Sequence, residues 1–172
     1  MRHPLAARAA LLVMAALAAP VAAQRPAVSF GVAGGPTFPV GDLAELVDAG
    51  WHAQAAVNFG AAIIPLGLRA ELLYQELDGQ DVETRQLAAF LSAVLSAPGA
   101  GFSPYVLAGA GVYDLSVDGP GLEGGTHLGV NAGAGVDIGM VGYALWLEAR
   151  FHHVFTDGLN QQTLPISIGI RF

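Results

Sequence analysis

Cysteine is absent from the 172 residues, and so is lysine; all seven basic residues are arginines. Without cysteine there are no disulfides, thiolate metal sites or thiol nucleophiles, and the chain can cross an oxidising compartment without mispairing. Charge is scarce as well, at 12% of residues against 53% hydrophobic, too little for an ordinary water-soluble surface. Long apolar runs are missing beyond the N-terminus, so the excess hydrophobicity is spread in alternation, which argues against a helical membrane protein. No basic patch exists. Removing Arg2 and Arg8 with the leader leaves five arginines against fourteen acids, 5 − 14 = −9, which excludes nucleic acid as a partner.

The N-terminus has the three parts of a secretory signal. Arg2 and Arg8 form a basic region, Ala9 to Ala19 an apolar stretch, and Pro20-Val21-Ala22-Ala23 a small-residue cleavage region. Cleavage is expected after Ala23, leaving residues 24–172 as one domain.

The clearest pattern present is at the C-terminus. Leu164, Ile166, Ile168, Ile170 and Phe172 share one face of an extended strand, and Ser167, Gly169 and Arg171 the other. One greasy face and one face holding an arginine suit a wall between lipid and water. Reading forward, eight segments show a period of two, near Ala27–Pro36, Trp51–Gly60, Leu66–Leu77, Thr84–Leu95, Pro104–Val117, Thr126–Met140, Gly142–Phe155 and Leu164–Phe172. Each reaches the roughly 9–11 residues of a tilted membrane strand. The fourth is ambiguous, because Leu87-Ala88-Ala89-Phe90-Leu91 is apolar on both faces. The predicted fold is all-β: an eight-stranded antiparallel up-and-down transmembrane β-barrel.

Alternate connections differ in kind. Those after the odd strands are acidic, with Asp42, Glu45 and Asp48, then Asp78, Asp81 and Glu83, then Asp118 and Glu123, then Asp157; those after the even strands carry no charge. Short turns are periplasmic and longer loops outside in such barrels, so both mature termini are expected at the periplasmic end. Ten aromatic residues are assigned to the lipid face as two girdles. Trp51, Tyr74, Tyr113, Phe151 and Phe155 lie near the loops, and Phe30, Phe59, Tyr105, Tyr143 and Phe172 near the turns.

These features resemble the OmpA/OmpX/OmpW-like family of small outer-membrane β-barrels. The residues that carry the likeness are Ile168-Gly169-Ile170-Arg171-Phe172, Gly31–Pro36, Pro65–Glu71, Pro104–Gly111 and Glu148–His153. The resemblance implies a bacterial outer-membrane location among lipid and lipopolysaccharide. It also implies periplasmic chaperones and insertion by the barrel-assembly machinery, with Ile168, Ile170 and Phe172 in the assembly signal. It implies no single activity.

An eight-stranded barrel is just wide enough for its inward side chains to fill it. Parity turns Arg69, Glu71, Glu148, Arg150 and Arg171 inward, with Gln54, Asn58, Gln75, Asn131 and Asp137. Opposite charges in a narrow, low-dielectric tube should pair, so the expectation is a plugged lumen and a structural, envelope-stabilising or surface-interaction role for a monomer. The alternative is a narrow pore, or OmpW-like transport of a small solute. A soluble lipocalin-like binder is disfavoured by the outward apolar parity.

Enzyme-like signals are weak, and neither cofactor nor metal is expected. Gly133-Ala134-Gly135 and Gly139 sit in a strand with no helix after them, unlike a nucleotide fingerprint. His153–Leu159 is similar to the His-x-Ser segment of outer-membrane lipid A deacylases, but Phe155 stands where the serine belongs. His152 and His153 are assigned to the rim, one facing in and one out. The acidic loops are solvated surface or carboxylate ligands for divalent cations, and Asp42 and Glu45 have capping-box spacing for a short helical turn.

Overall fold

The computed structural model describes residues 28–60, 65–79, 83–97, 99, 101–118, 124–157 and 160–172. The expected signal peptide, residues 1–23, lies outside them. Eight antiparallel strands form a closed barrel in sequence order: β1 (Val28–Pro39), β2 (Gly50–Gly60), β3 (Leu66–Asp78), β4 (Glu83–Ser96), β5 (Phe102–Asp118), β6 (Gly125–Gly139), β7 (Ala144–Val154) and β8 (Gln161–Arg171). All eight expected segments are strands. Closure removes both sheet edges, so every strand finds two hydrogen-bonding neighbours. The seam pairs Gly31 with Arg171 and Phe38 with Leu164, and reciprocal backbone hydrogen bonds between Phe30 and Phe172 (3.1 and 2.7 Å) finish it.

Alternation divides each strand between lipid and lumen. On β8, Ile166, Ile168 and Ile170 are exposed, whereas Gln161, Thr163, Pro165 and Ser167 are buried. On the ambiguous β4, Leu87, Leu91 and Leu95 face out, and Ala88, Phe90 and Val94 fill the interior. Both faces are apolar there because one meets lipid and the other packs the lumen.

On β5 the structure corrects the parity. Tyr105 and Tyr113 are buried at 4% and 0% exposure, so they belong to the lumen, not the girdles. The lipid face of β5 is carried by Phe102, Val106 and Val112, with alanines 108 and 110 between them. The inward tyrosines have room because glycines oppose them. A methyl group on Gly129 would lie 2.6 Å from Tyr113 Cε2, and one on Gly135 would meet the Tyr105 hydroxyl. Aromatic rings laid over cross-strand glycines pin the register. Trp51, Phe151 and Tyr143 are exposed and Tyr74 half-buried, all on the outer face.

A single 3-10 turn, Gly41–Glu45, follows β1 and folds over the loop end of the barrel. Asp42 sits in its first turn, where its charge favours the helix dipole, but the residue in capping position is Val40, without a side-chain cap. The expected capping box is therefore not what starts the turn. Leu43 and Val47 drop into the mouth against Leu77, and all three are buried.

Candidate functional site

Two short motifs meet across the barrel. Arg69-Ala70-Glu71 lies on β3, and Glu148-Ala149-Arg150 on β7, four strands away and therefore on the opposite wall. Strands two, four or six apart run in the same direction in an up-and-down barrel, so the reversed order of charges sets arginine against glutamate on each of two rungs. Arg69 Nη1 donates to Glu148 Oε2 at 2.6 Å, and Arg150 clamps Glu71 through Nη1 (2.6 Å) and Nη2 (2.9 Å). Arg150 Nε also donates to Glu148 Oε1 (2.8 Å), and Arg69 Nη1 stands 3.8 Å from Glu71 Oε1. The four side chains are 4% exposed or less. Two cations against two anions leave no net charge in the layer.

Neighbouring strands complete the hydrogen bonding. Glu148 Oε2 also accepts from the Tyr105 hydroxyl (2.7 Å) and Trp146 Nε1 (3.2 Å), while Arg69 Nε donates to Asn58 Oδ1 (2.7 Å). The guanidiniums lie over aromatic faces: Arg69 is 4.8 Å from the Trp146 ring centre and 5.0 Å from Tyr105, and Arg150 is 5.1 Å from Phe90. Arginine suits such a site because its planar fork binds carboxylates bidentately and stacks on rings; lysine would do neither. The inward turn of Tyr105 is what supplies its hydroxyl. Toward the end where β8 finishes, Arg171 bonds Asp137 and lies 5.2 Å from the Trp146 ring centre.

On the loop side the described buried polar side chains of the lumen are uncharged. His52 bridges Thr37 Oγ1 and Ser167 Oγ, each at 2.9 Å, and Gln54 donates to Ser167. Serine, histidine and a third hydroxyl in line have the composition of a nucleophile, base and orienter. All three are buried at 3% exposure or less, packed among the lumen side chains, so they link β1, β2 and β8 rather than face a substrate. His152 faces the lumen, as its parity predicts: its Nδ1 is 3.0 Å from the Tyr113 hydroxyl and its ring meets Phe90 edge-on at 5.3 Å. His153 points outward, with Phe155 at 4.7 Å between ring centres. Next come Leu73, Ala88, Leu115 and Val154, then Gln75, Gln86, Gln161 and Thr163, then the plug of Leu43, Val47 and Leu77.

Reading parity along β3 and β7 is enough to turn the charges inward. Finding Tyr105, Trp146 and Asn58 as their supports requires the register between strands. The outer wall carries a groove of about 690 Å³ bordered by Val32, Ala55, Ala70, Leu72, Ala89 and Leu91, an apolar surface of the kind acyl chains cover.

A closed eight-stranded barrel with an apolar exterior and a charge-paired interior defines a small membrane-spanning barrel protein. Residues 9–172 match the outer membrane protein beta-barrel domain, and the chain belongs to that family. Similar solved structures include Neisserial surface protein A (15% identity, TM-score 0.68, covering 85% of this chain and 96% of that one). The N-terminal β-barrel domain of Pseudomonas aeruginosa OprF has 14% identity and a TM-score of 0.54, over 85% of this chain and 98% of that one. The outer membrane enzyme PagL has 16% identity and a TM-score of 0.54, over 85% and 99%. At these identities the likeness is one of fold. No curated protein matches the chain by sequence.

Proposed function

We propose that this protein is a non-conducting, non-enzymatic outer-membrane barrel that stabilises the envelope or presents its loops for surface interaction. The observation that carries this reading is the Arg69–Glu148 and Arg150–Glu71 pairing across the full width of the lumen; with Arg171 on Asp137, every charged side chain buried in the lumen among the described residues has a counter-charge. An aqueous channel needs its charges hydrated; here they are spent on one another and on Tyr105, Trp146 and Asn58. The termini lie on the periplasmic side and the acidic loops outside. Lipid and lipopolysaccharide surround a monomer that the barrel-assembly machinery inserts through Ile168, Ile170 and Phe172. The fold neighbour PagL is an enzyme, but in this chain His153 packs on Phe155 rather than beside a serine.

Planar-bilayer recording on refolded protein tests this. The expected trace is silent at physiological salt. A steady conductance of tens of picosiemens or more from the native sequence would overturn the sealed-lumen reading.

A further inference from the structure

The loop-end third of the lumen has a property that the central network lacks. Gln75 Oε1, Gln86 Nε2, Thr84 Oγ1, Gln161 Nε2 and His152 Nε2 are buried and have no hydrogen-bond partner. Gln75 and Gln86 are direct cross-strand neighbours on β3 and β4, with Thr84 one step above, while Gln161 and His152 project from β8 and β7 on the opposite wall. Each of these five side chains is 2% exposed or less. A layer whose task was only to fill the tube would be better served by leucine, because a buried amide without a partner is a cost with no return.

The cover over this layer is slight. Beyond Leu43 and Val47 it is held by its own turn and by Val40 N–H donating to the Gln162 carbonyl (2.9 Å). It springs from an extended Val40 and from Gly41 at φ +64°, a left-handed conformation that glycine adopts without strain. One turn of five residues with no side-chain cap has few bonds to break when it opens.

We propose that this third of the lumen is a dead-end binding vestibule for a small uncharged, hydroxyl-bearing solute, covered by the Gly41–Glu45 turn. The chemistry of the unpartnered atoms selects the class. One carbonyl oxygen accepts, two amide nitrogens donate, and a hydroxyl and an imidazole nitrogen can do either. Hydroxyl groups, each both donor and acceptor, match that mixture. Among the described residues no buried side chain of this layer is charged, so a charged solute would shed its hydration there without gaining a counter-charge. Phe90 and Tyr113, stacked at 6.1 Å between ring centres, form the apolar floor. The proposal rests on the reading that the central network is closed, which makes the vestibule blind: it captures without conducting.

Saturation-transfer NMR on refolded protein in micelles tests it, with D-glucose as probe and glucuronate and glucosamine as its anionic and cationic counterparts. Glucose alone should show transfer. Leu43→Ser, which weakens the cover, should raise apparent affinity about fivefold by populating the open state. Gln75→Leu with Gln86→Leu should reduce transfer about tenfold, and Gln75→Glu should exchange glucose for glucosamine. Each variant is first shown to be folded by its heat-dependent gel migration; if Leu43→Ser is not, Val47→Ser on the same buried face replaces it. The proposal is overturned if glucose transfers to neither the native protein nor the weakened cover, if the double leucine variant keeps its signal, or if the charged sugars transfer equally. Bilayer conductance reports on the central network alone. A protein that conducts overturns the sealed-lumen reading; one that is silent and ignores glucose overturns the vestibule and leaves the seal standing.

Discussion

The centre of the lumen and its loop end are built from similar amounts of polar side chain and differ in whether those side chains are satisfied. At the centre, Arg69, Glu71, Glu148 and Arg150 hold one another and recruit Tyr105, Trp146 and Asn58. At the loop end, amide and hydroxyl atoms of Gln75, Gln86, Gln161 and Thr84 are buried without partners. A buried charge must be paired or the barrel does not close, so the centre is complete. A buried neutral amide can be tolerated, at about 1–3 kcal/mol for each atom left unsatisfied. The same barrel therefore contains one layer optimised for closure and one that is more stable hydrated than dry.

The largest effect is expected where the pairing is complete. Arg150→Met removes both hydrogen bonds to Glu71 and one partner of Glu148 while keeping most of the volume. Breaking a buried pair from one side costs about 3–5 kcal/mol. Urea unfolding in lipid, followed by the gel shift of the folded barrel, should register that loss. A cost under about 1 kcal/mol would mean that water reaches the carboxylates, and the contrast between the two layers would disappear.

At the loop end the sign should reverse. Gln75→Leu with Gln86→Leu replaces cross-strand amides by apolar side chains of similar size, relieving Gln75 Oε1 and Gln86 Nε2. The double variant is expected to be as stable as the native barrel or more stable by about 1–3 kcal/mol in the same urea assay. Clear destabilisation would show these amides to be bonded in solution. It would erase the asymmetry on which the vestibule depends.

Much of this was legible from residue order, and the exceptions have physical causes. Ile166, Ile168 and Ile170 against Ser167 and Arg171 leave one parity possible, because a one-residue slip would put the arginine in lipid. Arg69-Ala70-Glu71 and Glu148-Ala149-Arg150 are readable for the same reason. β5 offers no such anchor between Pro104 and Val112, since both of its faces there are apolar or glycine. Aromatic residues usually mark a girdle, so Tyr105 and Tyr113 read as lipid-facing; what turns them inward is space, provided by Gly135 and Gly129 on the next strand. That information lies in pairing between strands and not in either strand alone. The lumen segment Gln161–Thr163 was missed for a related reason. Its polar residues look like loop until the register places them beside Val154 and His152.

Tyr113 gives the finest test, because its two readings predict different numbers from one atom. In the lumen its hydroxyl meets His152 Nδ1 at 3.0 Å and accepts from Asn131 Nδ2 at 3.4 Å. Tyr113→Phe would leave His152 with both ring nitrogens unpartnered, since Nε2 has none already. A hydrogen bond removed from one side of a buried contact costs about 1 kcal/mol, and the phenylalanine ring would still pack on Phe90 and over Gly129. Tyr143→Phe is the matched control, since Tyr143 is on the outer face at 43% exposure and its hydroxyl can be replaced by solvent or headgroup. In the urea assay Tyr113→Phe should unfold earlier than Tyr143→Phe, which should match the native barrel. Equal midpoints would return Tyr113 to the girdle, and with it the parity of β5, the hydroxyl that Tyr105 gives to Glu148, and the apolar floor of the loop-end layer.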